Sequence, residues 1–93
     1  GGGTYNGEWK SGKMNGKGTY NRKTTNGTLN YNGDFVNDRF EGIGTLTLKE
    51  NNGSVILSKG EFKSSKLFNG YAYFTSPSGL ESNFEVTNGK AKR

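Results

Sequence analysis

Tyr5-Asn6-Gly7-Glu8-Trp9-Lys10-Ser11-Gly12-Lys13-Met14-Asn15-Gly16-Lys17-Gly18-Thr19-Tyr20 is the stretch that decides how this chain folds. Tyr5, Gly7 and Trp9 alternate with Asn6, Glu8 and Lys10, which is the period of a strand and not of a helix. Ser11-Gly12 and Asn15-Gly16 tolerate positive φ cheaply, and Gly16, Gly18 and Tyr20 resume the alternation on the way back. The stretch reads as a β-hairpin. Glycine normally weakens a strand interior, so Gly7 and Gly18 need a reason. The simplest is that each leaves a slot that a neighbouring aromatic ring covers, regaining buried area at roughly 25 cal/mol per Å².

Outward from this hairpin the pattern repeats. Gly7-Glu8-Trp9-Lys10 recurs as Gly33-Asp34-Phe35-Val36, as Gly60-Glu61-Phe62-Lys63 and, weakly, as Phe84-Glu85-Val86-Thr87. A second echo joins Gly16-Lys17-Gly18 to Gly42-Ile43-Gly44 and, one residue late, to Gly70-Tyr71-Ala72. A third joins Gly27, Gly53 and Gly79, placed before each next repeat. Independent features that share one period mark a repeat architecture. The boundaries predicted are one domain over 1–93, with repeats at about 5–30, 31–57 and 58–81 and a half-repeat at 82–93. No stretch supports a helix of three turns.

The first repeat, from Tyr5 to Gly18, resembles the signature of the MORN (membrane occupation and recognition nexus) repeat. From Tyr31, the second keeps tyrosine, glycine, acid, ring and the paired Gly42 and Gly44, but has Asp38 in place of the turn glycine. The third has Ser58 for the tyrosine, Ser65 for the turn glycine and Ala72 for the second strand glycine, with an extra residue expected in the turn. The half-repeat has Ser82 for tyrosine and Phe84 for glycine. The resemblance implies an all-β fold, a single-layer elongated antiparallel sheet of about three to four consecutive hairpins with a shallow aromatic groove. It also implies a non-catalytic role in protein interaction or scaffolding, with phosphoinositide binding proposed for some members.

Composition limits the chemistry. Of 93 residues 28% are hydrophobic, 16 are glycine and 13% aromatic, which suits a thin ring-rich sheet better than a thick core. Histidine and cysteine are absent, removing the usual neutral-pH base, the common nucleophile pairs and soft-metal sites. The acids Glu8, Asp34, Glu61 and Glu85 recur two strands apart, about 9.5 Å by strand spacing, too far to share a proton or an ion. Pairing with the turn cations Lys13, Arg39, Lys66 and Lys90 is the expected use of that row. The glycine-lysine pairs lack the helix that a phosphate loop requires. No catalytic residue, metal site or cofactor is expected.

There is no run of even ten apolar residues and no signal-peptide segment, so the expectation is a soluble module. The start at Gly1-Gly2-Gly3 suggests a processed or excised chain. Lack of cysteine leaves the compartment open, with the cytoplasm favoured. Net charge is +5, concentrated in the first repeat and in Lys90, Lys92 and Arg93. Two binding expectations follow. The leading one is a protein or peptide partner held by Tyr5, Trp9, Tyr20, Tyr31, Phe35 and Phe62 in the groove, with Tyr71 and Tyr73 on the opposite face and a homodimer through an open edge or sheet face in view. The alternative is anionic phospholipid bound by Lys10, Lys13, Lys17, Arg22 and Lys23. Nucleic acid is disfavoured, because the rings and cations lack the interleaving of an RNA-binding motif.

Overall fold

The computed structural model describes residues 3–92; Gly1 and Gly2, on which the expectation of a processed or excised start falls, and Arg93 of the C-terminal basic cluster lie outside the described residues. Those described form eight strands, β1 (Thr4–Lys10), β2 (Lys13–Thr24), β3 (Gly27–Val36), β4 (Arg39–Glu50), β5 (Val55–Lys63), β6 (Lys66–Thr75), β7 (Glu81–Thr87) and β8 (Lys90–Lys92). They make one open antiparallel sheet in chain order, each strand paired with the next, with extents of 43 × 30 × 15 Å. This is the all-β sheet expected, but with more hairpins than three to four. The connections between repeats are hairpins too, and β8 completes the terminal half-repeat.

At one end of the sheet the turns are Ser11-Gly12, Asn37-Asp38, Ser64-Ser65 and Asn88-Gly89, with both residues of each at positive φ. This is the mirror-image two-residue turn whose twist matches that of paired strands. Asp38 and Ser65 accept the left-handed conformation because each is tied to the previous repeat. Asp38 Oδ1 accepts from Met14 N at 2.7 Å and Ser65 Oγ from Phe40 N at 3.2 Å, while the amides of both donate back to the carbonyls of Met14 and Phe40 at 3.0 Å.

Two details differ from the sequence reading. The third hairpin's turn holds no extra residue; the offset is absorbed in β6 between Leu67 and Gly70. There Gly70 faces Gly60, as Gly18 faces Gly7, and also faces Val86, as Gly16 faces Phe35. One glycine thus serves both pairings. In the third echo only Gly53 and Gly79 turn the chain at positive φ. Gly27 lies inside β3, where a Cβ would strike the backbone of Lys49.

Gly16 and Gly42 mark bulges. From Gly7↔Gly18 to Trp9↔Met14, β2 advances four residues while β1 advances two, and β4 does the same against β3. The extra residues are accommodated at φ +98 and +104. Gly18 and Gly44 have the use expected of them: a Cβ on either would collide with the ring of Tyr5 or Tyr31 respectively. The core is built on that ring-bearing face from Tyr31, Phe35 and Phe62, flanked by Tyr5, Met14, Tyr20, Phe40, Leu46 and Leu67.

Candidate functional site

The rings form a continuous edge-to-face chain. Tyr5 meets Trp9 of its own repeat at 4.9 Å between centroids and Phe35 of the next at 5.0 Å. Tyr31 likewise meets Phe35 at 5.0 Å and Phe62 at 5.2 Å, and stacks on Phe40 at 3.9 Å. Each tyrosine hydroxyl donates to the carbonyl of the acid three residues on, Tyr5 to Glu8 at 2.7 Å and Tyr31 to Asp34 at 3.0 Å. Each ring is therefore roofed by the tyrosine of the repeat before it.

Burial then divides the predicted partner-binding set. Tyr31, Phe35 and Phe62 are at most 1% exposed, so they are floor and cannot line an accessible groove. Tyr5 and Tyr20 are half-buried. Trp9, first in the row, has no preceding tyrosine over it and is 59% exposed.

Further along the same face the tyrosine row fails. Tyr5, Tyr20 and Tyr31 lie in register with Leu46, Ser58, Ala72 and Phe84. The small side chains of Ser58 and Ala72 leave a depression beside a cleft of about 530 Å³, bounded by Ile56, Ala72, Phe74, Ser82 and Phe84 with Tyr73 and Asn83. Sequence reasoning missed Ile56, Phe74 and Phe84. The signal was present as Ser58, Ala72 and Ser82, which looked like decay of the repeat and not like space.

Tyr71 and Tyr73 lie on the other face, as the alternation in β6 requires, with 53% and 39% exposure. They are not continuous with the rings. The five cations of the lipid expectation are not brought together either. Lys10 faces Lys13 at the first turn, and Lys23 is near the far end of β2, about 33 Å away at strand rise. Arg22 falls on the ringed face, in register with Leu29. Lys17 Nζ is held by Asp34 Oδ1 at 2.9 Å, the one ion pair among the described residues.

The tyrosine-over-glycine slots and ring rows agree with a family comparison: the MORN repeat model matches residues 5–24 and 31–53. The chain carries MORN repeats in these two segments. The third repeat, outside the matched segments, keeps the hairpin geometry after losing the tyrosine. No curated protein matches the chain.

The MORN acids do not pair with the turn cations as expected. Glu8 Oε2 accepts from the Lys17 amide at 2.7 Å and Asp34 Oδ2 from the Ile43 amide at 2.9 Å, so each carboxylate closes its repeat's bulge. A Cβ on Gly16 or Gly42 would occupy the seat of that carboxylate. In the third repeat, where β6 is offset, Glu61 Oε1 instead accepts from Asn69 Nδ2 at 2.9 Å. The hydrogen bond from Lys17, with help from the Ile43 amide, holds the Asp34 carboxyl below the usual carboxylate range, and Asp34 in turn raises Lys17. Burial, reinforced by nearby Asp34, pushes the Tyr31 phenol up to about 12. Burial and Glu8 raise Tyr5 in the same direction.

Proposed function

We propose that this MORN chain is a non-catalytic binding or scaffolding module that holds an extended partner segment on its ringed face, with apolar side chains of the partner seated in the cleft between Ile56 and Phe84. The observation that carries this reading is that cleft: an apolar depression on the face where the rest of the row is filled by rings and Leu46. A concave apolar site with a polar group at its edge is the ordinary form of a binding pocket, and Ser82 supplies the polar edge here. Trp9 is a second accessible ring near the opposite end of the row, and aromatic anchors of this kind dominate binding energies.

The test is selection of peptides against the folded chain from a random library, followed by amide chemical-shift mapping. Support would be shifts confined to β5, β6 and β7 around Ile56, Ala72 and Phe84, and at least tenfold weaker binding to an Ala72→Trp variant that fills the cleft. Selected peptides that shift only the opposite face, or bind Ala72→Trp undiminished, would refute the reading.

A further inference from the structure

We infer that the face opposite the rings is a self-association surface, on which a second copy of this chain stacks about a two-fold axis running along β6 through Tyr71. Three observations carry it. The first is a change of chemistry within single cross-strand rows. One row runs Asn6, Thr19, Asn32, Thr45 and then Lys59, Tyr71, Glu85; the next runs Thr4, Asn21, Asn30, Thr47 and then Leu57, Tyr73, Asn83. In the first two repeats the side chains bond to one another, Thr19 to Asn32 at 2.9 Å and Asn30 to Asn21. In the third repeat rings and an aliphatic side chain replace them. Together they make an apolar patch on an otherwise polar sheet face, while Ile43, 65% exposed on the same face, lies apart from it in register with Glu61.

The second observation is the charge beside the patch. Lys59 and Glu85 flank Tyr71 in one row, one strand to either side, and both are exposed. Glu85 is in register with Lys92 of β8 on its outer side, and neither Lys59 nor Glu85 takes part in an ion pair among the described residues. They are separated by two strand spacings, about 9.5 Å, with the Tyr71 side chain between them, so they do not neutralise each other. A two-fold along β6 exchanges the places of β5 and β7. It therefore sets Lys59 of each copy over Glu85 of the other, twice, while Tyr71 and Tyr73 meet their own counterparts on the axis. An isologous contact demands this self-complementarity.

The third is size and shape. The sheet is 43 × 30 Å in plan, so covering about half of that face on each copy approaches the roughly 1,200 Å² total at which specific interfaces begin. An axis along the strands also leaves the two sheets aligned, the common way for sheets to stack.

The decisive experiment is sedimentation equilibrium on the intact chain and on Lys59→Glu, Glu85→Lys and the double exchange, with circular dichroism to confirm that each retains its sheet. The expected result is a dimer whose dissociation constant rises at least tenfold in either single variant and returns to within about threefold of the original in the exchange. Tyr71→Ser should weaken it at least tenfold as well. A wild-type chain that stays monomeric up to about 1 mM overturns the proposal, as does a dimer indifferent to Lys59→Glu. Weakening by Lys59→Glu but not by Glu85→Lys moves the axis off β6 and overturns the pairing. A monomer whose Tyr71 face binds lipid vesicles or a selected peptide assigns the surface to another occupant and overturns it too. Ala72→Trp, on the other face, should leave the dimer unchanged, which keeps this outcome separate from the peptide-cleft test.

Discussion

Gly18→Ala adds one carbon atom, and the sheet has no room for it. A Cβ there would stand 2.5 Å from Tyr5 Cε1 and 2.6 Å from its hydroxyl oxygen. Gly18 does not sit at positive φ, so the cost is steric overlap with the ring and not backbone strain. To make way, Tyr5 must give up part of its edge contacts with Trp9 and Phe35 and its bond to the Glu8 carbonyl. Aromatic pairs contribute about 0.5–1.5 kcal/mol each and a hydrogen bond about 1 kcal/mol, so complete loss would approach about 4 kcal/mol. Overpacking that relaxes part-way costs about 1–3 kcal/mol, and about 2 kcal/mol is the expected value. In a domain of this length that lowers Tm by about 8–16 °C. The discriminating measurement is a double-mutant cycle with Tyr5→Ser, followed by urea denaturation with Trp9 fluorescence and circular dichroism. Without the ring, Gly18→Ala should become nearly neutral, and a coupling of at least about 1 kcal/mol should appear. A coupling below about 0.5 kcal/mol would refute the ring-over-glycine account.

Other consequences can be checked on the same footing. Asp34 is depressed in the folded chain, so its contribution is complete above the ordinary aspartate value of about 3.9 and is lost as pH falls through the lowered one; the acid-side fall in Tm between about pH 4 and 2 should shrink in Asp34→Asn. Tyr31 is raised to about 12, so stability should decline as pH climbs from about 10 towards that value, and in urea titrations at pH 9–11.5 Tyr31→Phe should show less of that decline. Asp38 holds a left-handed turn and accepts from Met14 N; Asp38→Ala should cost about 1–2 kcal/mol by thermal denaturation, whereas Asp38→Gly, which relieves the backbone, should cost under about 1 kcal/mol.

The strand alternation and the repeat period were plain in Tyr5-Asn6-Gly7-Glu8-Trp9 and its echoes, because period-two patterning is a local property. The covering of Gly18 by Tyr5 was also readable, since an interior glycine demands compensation. What resisted reading was anything fixed by the next repeat. Phe35 and Phe62 match Trp9 in sequence, yet they are core and Trp9 is not, because Tyr5 and Tyr31 roof the former two. The acids looked like half of a salt-bridge ladder, since one-dimensional spacing shows charges but not the bulge amides of Lys17 and Ile43. The cleft was hidden for a similar reason: Ser58 and Ala72 signify a missing ring only once Phe74 and Phe84 are seen around the gap.

That gap ties binding to the departure from the repeat and not to the repeat itself. A fully regular array consumes its rings as core, leaving apolar surface free only where a row starts, at Trp9, or is broken, at Ser58. Restoring the pattern with Ser58→Tyr should therefore have two opposed effects. The new ring would lie over Gly70, which faces Gly60 as Gly18 faces Gly7, with Phe62 available at the edge as Phe35 is to Tyr31. One or two aromatic contacts make a gain of about 1–2 kcal/mol, or roughly 4–16 °C in Tm. The same ring would crowd the depression beside Ala72, and a peptide selected for the cleft should bind at least tenfold more weakly. Higher Tm with unchanged peptide affinity would separate the cleft from function, and lower Tm would show that the third repeat has lost the slot as well as the ring. Stability and affinity should move in opposite directions, because both draw on the same unfilled space.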